Sequence, residues 1–170
     1  PAEELYDLQA DPDEVHNLAG SAEHQAVLDE LRQAHREHVL AVRDVGFLSE
    51  AEMHRRAGET SPYEFGHDRQ RYPLERIHDM AQRATTRDAG AVDDLRAALQ
   101  DADSGVRYWA AMGLLIRGGA AVAAARDDLH AALKDESLTV RIIAARALGQ
   151  YGTQADLQPA LDVLAELASP

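Results

Sequence analysis

Between Ser21 and Asp44, apolar side chains recur at intervals of three and four. Val27, Leu28, Leu31, Val39 and Val42, with His35 and His38 among them, form one stripe, which predicts a long helix ended near Gly46. In "SEAEMHRRAG", Ser49 and Glu52 stand at capping-box spacing and Gly58 is a stop signal, so a short helix is expected. "SPYEF" repeats the device with Ser61 as N-cap, Pro62 at the first helical position and Glu64 two positions further on. The stretch from Glu59 to Tyr72 is polar and rich in turn formers, and it reads as a wrapping connector. Pro73 opens another helix, with Leu74, Ile77, Met80, Ala81 and Ala84 on one side. A period of two appears only at the start. In "ELYDL", Tyr6 and Leu8 face one way and Leu5 and Asp7 the other, which predicts a short β-strand before a turn at "DPDE". A lone strand cannot satisfy its own backbone groups. Its partner is therefore expected upstream, and a chain that begins at Pro1 rather than Met is expected to continue in that direction.

The rest of the chain repeats. "DDLRAALQDADSGVRYWAAMGL" (93–114) and "DDLHAALKDESLTVRIIAARAL" (127–148) share 12 of 22 positions in a gapless alignment that sets Asp93 over Asp127. Periods of this size mark helical solenoids, in which one helical hairpin buries its apolar side only by stacking on the next. Ankyrin and tetratricopeptide repeats have similar periods, but their signature residues are absent. What stands instead is an aspartate six positions before an arginine (Asp101 and Arg107, Asp135 and Arg141), followed by a small-residue helix. This pattern resembles the HEAT-like repeats, above all their short bacterial form. The resemblance implies that these four residues hold the turns between stacked repeats. Ala155 to Ala168 would begin a third unit or cap the stack. Tyr108 and Trp109 occupy the positions of Ile142 and Ile143, so one of each pair is expected in the repeat core. The other is a candidate interaction surface.

Composition narrows the function classes. The formal net charge is −13, which repels nucleic acid and anionic membranes, so neither is an expected partner. There is no cysteine, hence no disulfide, thiolate metal site or cysteine nucleophile. No apolar run reaches membrane-spanning length and no targeting segment is visible, which leaves the localisation open. Lys134 is the sole lysine, and Ala and Arg are abundant, the usage expected of a bacterial protein from a GC-rich genome. His35 and His38 lie one helical turn apart, but no acidic third ligand accompanies them, so a metal site is disfavoured. The acidic residues Glu3, Glu4, Asp11, Asp13 and Glu14 lack the calcium-loop pattern. Gly118-Gly119 is a helix break and not a phosphate loop, because no Gly-Lys-Ser/Thr follows.

"ELYDLQADPDEVHNLAG" ahead of a long helix is similar to the C-terminal end of the sulfatase family. The matching residues are Glu4 to Leu8, Asp11, Pro12, Glu14 and Asn17 to Ala19. The resemblance implies that residues 4–8 are the last strand of a small antiparallel sheet and that the upstream catalytic domain is their partner. It also implies an exported parent hydrolysing sulfate esters, with calcium as the parent's metal. No Cys/Ser-x-Pro-x-Arg motif occurs here, so no catalytic, metal or cofactor residue is carried over and this chain is not expected to be an enzyme. The expected fold is mainly α: a short N-terminal strand, a long helix, then a HEAT-like solenoid. The expected segments are 1–58 (sulfatase-like tail), 59–72 (connector) and 73–170 (repeats). The repeats would serve protein interaction, bracing or self-association. The alternative is a free-standing helical-repeat adaptor with no enzymatic parent.

Overall fold

The computed structural model describes residues 3–86 and 88–168. Residues 1, 2, 169 and 170, which end the expected segments, and Arg87 lie outside the described residues. The chain forms two compact units, 1–44 and 45–170. The helix over 50–57, placed by sequence with the first segment, thus belongs to the second unit.

In the first unit the expected strand is absent: among the described residues there is no strand and no sheet. So short an alternation does not set a strand apart from a loop, and local side chains here take the role of a sheet partner. The Asn17 side chain accepts from the Leu5 N–H (3.0 Å) and donates to the Glu3 carbonyl (3.0 Å), while the Leu18 N–H donates to the Leu5 carbonyl (2.7 Å). Asp7 accepts from the Gln9 N–H and Asp11 from the His16 N–H, closing two successive turns. A short 3-10 turn (Ala22–His24) leads into α1 (Gln25–Val42). Arg32 of α1 grips both oxygens of Glu3 at 2.8 and 2.5 Å, tying the segment to the helix. The helix ends at Arg43 and not near Gly46. Arg43 takes the left-handed conformation (φ 56°, ψ 50°) and sends its N–H to the Val39 carbonyl, a role more often given to glycine. Of the apolar stripe only Leu28 and Val39 are buried; Val27, Leu31 and Val42 are half exposed.

The second unit opens with α2 (Glu50–Ala57) and α3 (Pro62–His67). Ser61 and Glu64 form the full reciprocal capping box; at Ser49 only half forms, because the Glu52 carboxylate is engaged elsewhere. The connector reading of 59–72 needs correction. Phe65 and Tyr72 are fully buried, with ring centroids 5.3 Å apart, and anchor the stretch in the core. Two isolated aromatics among polar and turn residues carry no period, which is why the pattern concealed them.

Next come α4 (Leu74–Thr85) and two helical hairpins. The first pairs α5 (Val92–Ala98) with α6 (Ser104–Arg117). The second pairs α8 (Arg126–Ala132), preceded by α7 (Gly119–Ala124), with α9 (Leu138–Tyr151). A final helix, α10 (Gln154–Ala168), lies against α9. Leu95, Leu114, Val122, Leu129, Val140, Ala144 and Leu148 form one continuous core across both hairpins. Alanines dominate the helix contacts and allow close approach. Arg117 donates to the carbonyls of Arg83, Ala84 and Asp88, two of them in the last turn of α4, where carbonyls lack intrahelical partners.

Candidate interaction surface

Within the second unit, the turns between the paired helices carry a ladder of ion pairs that runs from α4 to the first hairpin and from the first hairpin to the second. Arg76 of α4 donates to both oxygens of Asp101 (2.6 and 2.5 Å). Arg107 of α6 forks onto Asp135 of the following hairpin, Nε at 2.7 Å and Nη2 at 2.8 Å, and its Nη1 donates to the Asp101 carbonyl at 2.8 Å. Both members of this rung are about nine-tenths buried. The hydrogen bonds that Arg107 donates to Asp135 outweigh burial and strengthen its hold on its proton. Each aspartate also accepts from a backbone N–H two positions on, at Asp103 and Ser137, and so shapes its own turn. Arg141 is placed differently. Its Nη1 reaches the exposed Glu166 of α10 at 3.1 Å, and its buried Nε has no acceptor among the described residues.

Glu52 was not anticipated from sequence. It is buried and accepts from Arg55 (2.9 and 2.7 Å), Arg56 (2.8 Å), the Ser104 hydroxyl (2.5 Å) and the Ser137 hydroxyl (3.3 Å). Ser104 begins α6 and Ser137 caps α9, so one carboxylate stands at the positive ends of two neighbouring repeat helices. Burial opposes its ionisation, but the hydrogen bonds from Arg55, Ser104 and Arg56 outweigh burial and draw the carboxyl down to about 2. Arg56 continues the network with a fork onto Asp103 at 2.9 Å to each oxygen. Ser104 and Ser137 belong to different hairpins, far from Glu52 along the chain and beyond the reach of any local pattern.

A second knot fixes α10. Asp156 is fully buried and accepts from Arg126 (2.8 and 3.0 Å), His130 Nε2 (2.6 Å), and the Thr153 N–H (2.6 Å) and hydroxyl (2.8 Å). Burial works against the charge, yet these donors, led by His130, hold the carboxyl far below the ordinary carboxylate range.

Of the two candidate aromatics, Trp109 donates its indole N–H to the Phe47 carbonyl (2.8 Å) and so pins the entry segment of the second unit. Tyr108 meets Trp109 edge-on at 5.6 Å and stays partly exposed; burial raises its hydroxyl pKa, and Arg146 lies near enough to oppose that shift. Tyr108 and Ile142 occupy equivalent positions of α6 and α9, as do Met112 and Arg146 one turn on. All four are at least partly exposed on the second helices of the repeats, and Arg146 is near enough to Tyr108 to act on its charge. Two open hollows of about 290 and 330 Å³ lie along the turns; the first is lined mainly by arginine and acidic side chains, the second half by such residues and half by Leu99, Gln100, Ala131 and Ala132. Among the described residues no group of three His, Cys, Asp or Glu is placed to hold a metal, and no helix is long and apolar enough to cross a membrane.

Residues 92–169 match the family model for HEAT repeats. No curated protein and no solved structure matches the chain. This part of the molecule is thus a helical-repeat array similar to HEAT repeats, which commonly serve protein–protein interaction. The match does not extend to the chain before Val92, and nothing in the comparisons relates Glu4–Ala19 to sulfatases.

Proposed function

We propose that the second unit is a non-catalytic helical-repeat module that binds a protein partner through the second helices of its repeats. The observation that carries this reading is the surface of Tyr108, Met112, Ile142 and Arg146. Ile142 is exposed although it sits in a helix of the core, and no carboxylate among the described residues pairs with Arg146. A partner offering an apolar side chain to Tyr108 and Ile142 and a carboxylate to Arg146 fits this chemistry. The test replaces Tyr108, or Asp127 as a distant control, with a photo-crosslinking residue. One defined protein captured at 108 and lost with Ile142→Glu or Arg146→Glu is the expected result. Equal capture at both positions, or capture indifferent to the two changes, overturns the reading.

A second reading concerns the first unit: it is the tail of a sulfatase-like hydrolase whose catalytic part lies upstream. The residues that carry the resemblance, Asp7, Asp11 and Asn17, are the ones that build the turns. Leu8, Val15 and Leu31 remain exposed and would be covered by that upstream part. A Cys/Ser-x-Pro-x-Arg motif upstream in the same reading frame is expected, and calcium would belong to that part. An upstream sequence without the motif sinks the idea. The present chain by itself should not hydrolyse aryl sulfates, with or without calcium.

A further inference from the structure

Most arginine side chains of the second unit end on a carboxylate. Arg71 does not. Its guanidinium lies over the Phe65 ring, 5.5 Å from the centroid. Its Nη2 donates to the carbonyls of Arg56 and Ala57 at the C-terminal end of α2. Nε and Nη1 have no hydrogen-bond partner among the described residues. Arg117 is the contrast. It too is held by carbonyls, but all three of its nitrogens are used. Arg71 is therefore held at one face and one nitrogen, while the rest of its fork stays open and its charge is unmatched.

Arg71 lines the open hollow of about 290 Å³ together with Arg55, Arg56, Phe65, Asp103 and Glu136. Three guanidinium groups thus face two carboxylates. Both oxygens of Asp103 are taken by Arg56, and the exposed Glu136 reaches to Arg107. Glu52, buried beside them, holds Arg55 by Nε and Nη2 and leaves its Nη1 without a partner among the described residues. Two forks with open N–H groups therefore border one space, in a chain whose net charge is −13. Together they offer more donors than one carboxylate readily takes, and they suit the three acceptor oxygens of a phosphate group. At about 290 Å³ the hollow lies near the lower end of the range for small-ligand sites, room for one modified side chain.

We propose that this hollow binds the phosphate of a phosphorylated serine in a partner protein, with Arg71 and Arg55 donating to its oxygens and Arg56 adding charge beside them. This goes beyond partner binding at Tyr108 and uses none of the residues of that surface.

The probe is the capped peptide acetyl-Ala-Ala-phosphoserine-Ala-Ala-amide, titrated into the full chain and followed by the NMR signals of the arginine Nε–H groups. Saturable shifts at Arg71 and Arg55 are expected. The same peptide with serine should give none, and with glutamate it should bind at least about tenfold more weakly. Arg71→Gln, an exposed site where folding is checked by circular dichroism, should weaken phosphopeptide binding at least about tenfold. Arg71→Lys, which keeps the charge and loses the fork, should weaken it as well. Arg69→Gln removes the same charge from an exposed residue of the same segment that does not line the hollow, and it should leave binding unchanged. Absence of saturable shifts, equal binding of the glutamate peptide, or equal losses in Arg69→Gln and Arg71→Gln overturns the proposal. Inorganic phosphate that binds as tightly as the peptide also overturns it, because the ligand is then the free ion and not a modified side chain.

Discussion

Arg107 and Arg141 look alike in sequence, each six positions after an aspartate, but their surroundings separate them. Arg107 holds a buried fork onto Asp135, while Arg141 touches an exposed glutamate. Arg107→Ala leaves Asp135 buried without its main partner, which typically costs about 3 kcal/mol. Arg141→Ala loses a pair of the kind worth about 1 kcal/mol or less. Urea unfolding of both variants checks this, and equal losses would show that the ladder does not act rung by rung. Glu52 gives the residue scale its pH dependence. Its folded-state pKa of about 2 lies below the unfolded value near 4.3, so its contribution is complete above about pH 5 and is lost as the pH falls towards 2. Asp156 acts in the same direction. Glu52→Gln should therefore destabilise the chain near pH 7 by about 3 kcal/mol and flatten the decline in stability below pH 5. An acid limb of unchanged slope in the variant would remove Glu52 from that role.

At the scale of elements, helix approach is set by where glycine is required. A Cβ on Gly113 of α6 would stand 2.8 Å from a Leu95 methyl and 3.1 Å from the Cα of Ala84, a backbone atom of α4 that cannot step aside. On Gly149 of α9 the nearest atom is the Ala160 Cβ at 3.8 Å, ordinary contact. Gly113→Ala should then lower stability by about 1–2 kcal/mol through overpacking. Gly149→Ala should raise it by up to about 1 kcal/mol through helix propensity. Thermal melts of the pair test the assignment, and a stabilised Gly113→Ala would mean that α4 and α6 are less tightly seated than they stand here. The same scale shows what sequence can convey. The hairpins were legible because Asp-Asp-Leu, Val-Arg and Ala-Ala recur in the same order at one constant offset, and that recurrence follows from stacking like on like. The Ser61 box was legible because both partners lie within one turn. The engagement of Glu52 with Ser104 and Ser137, and the burial of Phe65 and Tyr72, were not, since each depends on contacts between distant segments. "ELYDL" misled for the opposite reason: the local alternation is real, but Asn17, beyond the turn, satisfies the backbone of Leu5 that a sheet would otherwise have to pair.

For the whole molecule the decisive fact is where apolar burial lies. Leu28 and Val39 are the buried apolar residues of the first unit; the remainder of the core belongs to residues 45–170. Burial of apolar area is the main source of stability, so the second unit should carry nearly all of it. The first unit has local hydrogen bonds and one 18-residue helix, a length at which an isolated helix is marginal in water. A chain of residues 45–170 should therefore unfold cooperatively, with a Tm within about 5 °C of the full chain, a shift that corresponds to roughly 1 kcal/mol or less for a domain of this size. Residues 1–44 alone should show partial helicity and a broad melt. Trp109 makes the comparison direct, because its indole is bonded to Phe47 inside the second unit and its fluorescence reports that unit. If removal of residues 1–44 abolishes the cooperative transition seen by Trp109, the second unit is not self-sufficient, and the division of the chain at Asp44 is not a division of stability.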